Sequence, residues 1–410
     1  MNQRLRWSPV SFGRTRLPRV ESLTGLRWFA AFAVFAHHLN NFAPLPIIKD
    51  MAFGVTGVTF FFVLSGFVLT WSATANDTAP RFYWRRFARI WPLLAVSTLL
   101  AIPVFYGSSD SFQKPLDSTA LVGIVLCLLL LQAWSDNPAI FFAGNPAAWS
   151  LSCEAFFYAI FPPTIRRAMP RGVPAMLMAA VGLVIVSWAL LLWLRYAPPD
   201  PDSPLRIFFR EPMYRVPEFL LGVVLGVAVR AGWRPRLSVP AAVGLVFLGI
   251  ATLVLWRHSP GLTESFMKPT SAMNQLMAPL YGLLIVAVAV RDVRGGPSLL
   301  QTGWLVALGK WSYAFYLVHA TVIYTFRLVL GVQPSSWSNV VWIGPMLLAS
   351  IAAAAALYIW VEHPTERRLR AMLPPRPEEP PTADDPVPAA TTTVTATSTD
   401  PVDRDGGSAR

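Results

Sequence analysis

Charge is scarce in this chain: 14% of its 410 residues are Asp, Glu, Lys or Arg, 54% are hydrophobic, and the mean hydropathy is positive. An ordinary soluble enzyme of this length is about a quarter charged, so that class is excluded. Cysteine is nearly absent. Only Cys127 and Cys153 occur, both in apolar or span-edge contexts, so a cysteine framework or a metal cluster is not expected and two free, buried thiols are. An internal repeat, the mark of many transporters, is also missing. The arginines flank apolar stretches instead of forming one soluble basic face, which argues against a nucleic-acid partner.

What the chain has in abundance is apolar segments of membrane-crossing length. Eleven are readable, at 25–42, 53–72, 91–107, 119–133, 146–163, 174–194, 217–229, 240–256, 277–290, 303–328 and 340–361. The connections at 81–89, 166–171, 230–236, 291–294 and 366–370 are arginine-rich, which assigns them to the cytoplasmic side. Those assignments agree only if residues 107–165 make one net crossing, so either 119–133 or 146–163 is re-entrant or interfacial. The expected fold is an all-α polytopic membrane protein of about ten transmembrane helices plus that one incomplete segment, with both termini cytoplasmic.

Residues 1–20 form a basic arm, 21–370 the membrane domain, and 371–410 a tail with seven acids and three arginines that is too polar to fold. The basic start followed by Leu26–Ala36 resembles a signal peptide, but the many later spans favour a retained first helix.

Charged and imidazole groups inside spans are expensive, so they are the first functional candidates. Arg27 and His38 share one face of the first span, eleven residues and therefore roughly 16 Å apart along its axis. Glu154 follows Asn145-Pro146, an N-cap and first helical residue, and is expected at the level of His38, with Tyr158 a turn further on. His319 closes a face that also carries Ser312 and Tyr316. The run Arg81-Phe82-Tyr83-Trp84-Arg85-Arg86-Phe87-Ala88-Arg89 marks a cytoplasmic loop, and its clustered guanidiniums suit the phosphates of a cytoplasmic co-substrate. His258 falls in an outer loop and His363 at an inner terminus, so neither is a strong candidate.

Arg27 with ten residues before His38, Phe61-Phe62-Val63-Leu64-Ser65-Gly66-Phe67, Arg85-Arg86-Phe87-Ala88-Arg89-Ile90-Trp91-Pro92, Trp149-Ser150-Leu151-Ser152-Cys153-Glu154, and Ser312-Tyr313 through Tyr316-Leu317 to His319 occur in this order. Together they resemble the acyltransferase-3 family of bacterial membrane O-acyltransferases. The resemblance covers roughly residues 21–370 and implies a ten-helix enzyme of the bacterial plasma membrane with a cytoplasmic acyl-CoA co-substrate. It also implies that Arg27 and His38 are the required Arg and His, which sets His37 aside. The family often has a second carboxylate where this chain has Ala155, and many members append a hydrolase-like domain for which residues 371–410 are too short.

The expected reaction moves a short acyl group from acyl-CoA to a hydroxyl of a sugar, glycoside or polyketide such as a macrolide. No permanently bound cofactor is expected. His38 is the expected general base, Glu154 its orienting partner, and His319 a further catalytic candidate; Arg27, Arg85, Arg86 and Arg89 are the expected donor-binding residues. Cys153 beside Glu154 leaves a covalent acyl-enzyme as a minor route. A transporter or flippase of a lipid-linked sugar or small molecule is the alternative from another class, since it too places charges inside a bundle.

Overall fold

The computed structural model describes residues 17–47, 50–74, 77–108, 110, 112–196, 211–259 and 269–374. The basic arm before residue 17 and the acidic tail after residue 374 lie outside them. The described residues contain helices and no strand, only an isolated bridge between Tyr106 and Lys114.

Eleven helices of eight residues or more follow one another before the last helical extension: α1 Glu21–His38, α2 Gly57–Ser72, α3 Ala79–Phe105, α4 Ser118–Leu128, α5 Trp149–Ala168, α6 Val173–Tyr196, α7 Val216–Arg230, α8 Val239–Arg257, α9 Pro269–Val293, α10 Gly303–Leu330 and α11 Val340–Leu357. A π-helical turn, Tyr358–Glu362, then leads α11 into His363–Ala371. Among the described residues, eight helices are long and apolar enough to cross a membrane. The remaining two of membrane length, α1 with 18 residues and α5 with 20, carry the internal charges Arg27 and Glu154.

The incomplete segment is 119–133. Asp117 caps α4 through a 2.8 Å bond to the Ala120 N–H, but the helix ends after eleven residues, roughly 16 Å and about half a hydrocarbon core. The chain turns back there through Leu130, whose φ is +60° and whose carbonyl accepts from Ser152 Oγ on α5 at 2.7 Å. Asn145 does cap the entry to α5 as its sequence suggests: its side chain accepts from the Ala147 N–H at the head of a 3-10 turn, Pro146–Ala148.

Two stretches read as loops are helical. Residues 81–89 are the first turns of α3, because Thr78 caps that helix, Pro80 sits where its missing N–H costs nothing, and the chain continues through Pro92 with one backbone bond lost. Residues 366–370 likewise belong to the helix that extends α11. The consequence for α3 is that its arginines are held on defined faces.

α1 and α10 run side by side in the same direction. Thr24 meets Gly309, Trp28 and Phe35 pack on Phe315 with centroids 5.0 and 5.7 Å away, and His38 meets His319. Gly309 permits this: a Cβ there would lie 1.9 Å from the Thr24 carbonyl oxygen, so only a residue without a side chain lets the backbones touch. α1 has no capping side chain of its own. Asp292, at the end of α9, supplies one by accepting from Ser22 N at 2.9 Å and Ser22 Oγ at 2.6 Å.

Candidate active site

Two cavities lie along α1, one at each half of the helix. The first, about 260 Å³, is lined by Arg27, Arg86, Arg89, Glu154 and Tyr158 among apolar and hydroxyl side chains. The second, about 530 Å³, is lined by His37, His38 and His319 with Tyr106, Phe112, Phe141, Trp149 and Tyr324. Val58 and Tyr316 line both and so form the partition.

In the histidine cavity the rings are held by backbone carbonyls, and carbonyls only accept. His319 Nδ1 stands 2.7 Å from Tyr316 O, and His38 Nδ1 stands 2.8 Å from Val34 O, so both Nδ1 atoms carry the proton. His319 Nε2 is therefore a lone pair, and it faces His38 Nδ1 at 3.3 Å as a second acceptor for the same hydrogen. That network fixes the His38 tautomer with an unprotonated Nε2. If His38 takes a proton there, the positive charge meets two acceptors already in place at Nδ1. His37 packs edge-on against His38 with centroids 5.0 Å apart, and its Nδ1 is buried without a hydrogen-bond partner.

The arginine cavity is organised by three helices. Arg27 comes from α1, and its Nε is buried without a partner. Arg86 and Arg89, one turn apart on α3, face the same space because residues 81–89 are helical. Arg86 lies over the rings of Phe82 and Tyr158 at 5.7 and 5.9 Å, and its Nε is also unpartnered. Arg89 is committed to Glu362 and to Glu366, the latter at 3.0 Å, and covers the Tyr313 ring at 5.6 Å. Glu154 accepts from Tyr158 Oη at 3.2 Å and acts electrostatically on Arg27, Arg86 and Arg89. Two guanidiniums without close carboxylate partners around one carboxylate leave this cavity electropositive.

Set against the expected site, the structure joins His38 to His319 and Arg27 to Arg86 and Arg89, but divides the set in two. Glu154 is not beside His38. The first residues of α5 and its entry turn, Pro146, Ala147 and Trp149, line the histidine cavity, and Glu154 lies five residues along the helix, roughly 7.5 Å deeper and at the level of Arg27. Arg85 is not in either cavity, because Asp77 holds it in a two-pronged pair. His258 and His363 line neither cavity, and Cys153 is fully buried without reaching either. Both cysteines are free.

Sequence reasoning passed over Tyr316 as a spacer between Ser312 and His319, and it passed over Glu362 altogether. A lone acid late in an apolar span was the available signal for Glu362. Its orientation depends on the π-helical turn, which carries it inward to Arg89.

Residues 20–359 match the family model described as an acyltransferase domain. An acyltransferase, MdmB, from Streptomyces mycarofaciens is 34% identical over 386 residues, covering 86% of this chain and 93% of that protein. The O-acetyltransferase OatA from Staphylococcus aureus is 26% identical over 325 residues, covering 73% of this chain and 50% of its own length. A peptidoglycan O-acetyltransferase, OatA from Listeria monocytogenes, is 23% identical over 376 residues, covering 85% and 56%. The chain thus spans about half the length of the two O-acetyltransferases it matches and nearly all of MdmB. No solved structure matches it. With its motifs in order, its histidine and arginine cavities inside a helical bundle and a match over most of its length, this multi-pass membrane protein belongs to the acyltransferase-3 family of O-acyltransferases.

Proposed function

We propose that the enzyme transfers a short acyl group from acyl-CoA, bound from the cytoplasmic side in the arginine cavity, to a hydroxyl of a sugar, glycoside or macrolide-type molecule held in the histidine cavity. The observation that carries this reading is the His38 tautomer, fixed by Val34 O and His319 so that Nε2 is a base. The donor assignment is supported by Arg27 and Arg86, whose planar donor forks match phosphate oxygens and lack carboxylate partners within 4 Å. Arg89 contributes field but is already engaged with Glu362 and Glu366. The acceptor assignment is supported by the aromatic faces around the larger cavity, which suit the apolar faces of sugar rings and macrocycles.

In the reaction, His38 Nε2 removes the acceptor hydroxyl proton as the oxygen attacks the thioester carbonyl carbon. The new C–O bond forms and the carbonyl π pair moves to oxygen. On collapse the C–S bond breaks, its pair stays on sulfur, and the imidazolium returns the proton to the CoA thiolate. His319 acts through His38: its lone pair keeps the ring in the productive tautomer and receives part of the charge.

The test is purified enzyme in lipid nanodiscs with acetyl-, propionyl- and hexanoyl-CoA and a panel of glycosides and macrolides. Wild type is expected to release CoA with acceptor present, and His38→Ala to lose about 10²–10⁴-fold in kcat. Equal CoA release by both proteins refutes the base. Arg27→Ala is expected to raise the acyl-CoA KM with a smaller effect on kcat, and an unchanged KM removes Arg27 from the donor site.

A further inference from the structure

The donor cavity and the base cavity meet at one polar side chain. Val58 is an aliphatic lip, so Tyr316 is the residue of the partition that can donate a hydrogen bond into the space between the chambers. Its hydroxyl lies 2.8 Å from Ser150 Oγ, on α5. The direction of that bond follows from the neighbours. Ser150 Oγ stands 3.3 Å from Ala147 O, a carbonyl that only accepts, so the serine hydrogen is used there. Tyr316 is then the donor and Ser150 the acceptor.

The same residue is tied to the base. The Tyr316 backbone carbonyl holds His319 Nδ1 at 2.7 Å, and His319 Nε2 faces His38 Nδ1 at 3.3 Å. One residue therefore fixes the tautomer of the histidine pair through its carbonyl and presents an O–H at the doorway through its side chain. A thioester arriving from the arginine cavity and a hydroxyl activated by His38 can meet only near this partition. Charge then develops on the former carbonyl oxygen, which needs a donor, and Arg27 lies roughly 16 Å along the helix from His38.

We propose that the Tyr316 phenol is a catalytic residue of the transfer, donating its hydrogen bond to the oxyanion of the tetrahedral intermediate. In the resting enzyme the proton points to Ser150 Oγ. As the acceptor oxygen adds to the thioester carbon and the π pair moves to oxygen, the phenol rotates its O–H from Ser150 to that oxygen. The phenolic proton stays on Tyr316 throughout, and on collapse the hydrogen bond returns to Ser150. The proposal rests on the acyl-CoA reading above.

The test compares wild type with Tyr316→Phe and Ser150→Ala in nanodiscs, measuring kcat and KM for both substrates. Tyr316→Phe keeps the ring and its packing, and is expected to lower kcat about 10²–10³-fold with both KM values within about threefold. Ser150→Ala removes the resting acceptor together with the bond to Ala147 O, and is expected to keep kcat within about fivefold, because neither bond is made to the reacting atoms. A merely architectural bond predicts similar losses from the two substitutions, and that outcome overturns the proposal. So does a Tyr316→Phe enzyme within fivefold of wild type.

Replacement of Tyr316 by fluorotyrosines of graded acidity is the second measurement, should the phenylalanine variant not fold. A kcat that changes with phenol acidity supports the proposal, and a flat series overturns it. Wild type that releases CoA from no thioester overturns the donor reading and the proposal with it. Activity in wild type with an indifferent Tyr316→Phe overturns the proposal alone.

Discussion

Adding one methyl group at the crossing of α1 and α10 should separate the histidine pair. In Gly309→Ala the new Cβ would lie 1.9 Å from Thr24 O, whereas ordinary contact begins near 3.4 Å, so the two backbones must move apart by about 1.5 Å (3.4 − 1.9). Moved by that amount, the 3.3 Å contact between His319 Nε2 and His38 Nδ1 opens to nearly 5 Å and is no longer a hydrogen bond. His38 then loses the partner that helps hold its tautomer. Misplacement of about 1 Å in a catalytic group costs on the order of 10²-fold in rate, and overpacking a close contact costs about 1–3 kcal/mol of stability.

The assay is CoA release in nanodiscs beside thermal unfolding of the detergent-solubilised protein. Gly182→Ala in α6 and Gly244→Ala in α8 are the internal controls. A Cβ at either position meets nothing within 4 Å, so both should keep full activity and gain about 0.5–1 kcal/mol from the better helix former. A Gly309→Ala enzyme with activity within threefold of wild type and unchanged stability would show that the helices do not need this contact, and the account of how the histidines are joined would fall.

Two further substitutions test the scaffold. Glu362→Gln takes the buried partner from the part-exposed Arg89 and leaves it Glu366 alone, and unfolding in detergent should show a loss of about 1–3 kcal/mol; a loss under 1 kcal/mol would count against the pair as a structural tie. Asp292→Ala strips the acceptor from Ser22 N, Ser22 Oγ and Gln301 Nε2, and should cost about 1–3 kcal/mol with faster amide exchange confined to the first turn of α1. Uniform exchange along α1 would instead assign its anchoring to side-chain packing.

The spans were legible because apolar runs of membrane length and arginine asymmetry are local signals. The N-cap at Asn145 was legible for the same reason, as was the shared face of Arg27 and His38. What could not be read is set by other chains of contact. Residues 81–89 carry no helix breaker, yet a row of arginines beside aromatics reads equally as a loop, so the convergence of Arg86 and Arg89 on one cavity was hidden. The choice between 119–133 and 146–163 needed the turn at Leu130, a backbone conformation that a leucine does not advertise. Glu154 was assigned to the level of His38 because depth was counted from the start of the helix, and the 3-10 turn ahead of Trp149 takes up that level. Arg85 has its partner, Asp77, eight residues upstream across the start of α3, where sequence spacing gives no hint that the two side chains meet.

The side-by-side course of α1 and α10 also has a meaning in time. His38 and His319 are 281 residues apart in the chain. At cellular rates of synthesis, about 5–20 residues per second, the first helix waits roughly a quarter of a minute to a minute for its partner. Until then Gly25 has no Leu300 to pack against, and His38 Nδ1 has Val34 O but not His319 Nε2 as acceptor. The histidine pair is thus completed only when α10 is made, so a chain cut short before α10 carries one of the two facing imidazoles and lacks the backbone contact that Gly309 allows.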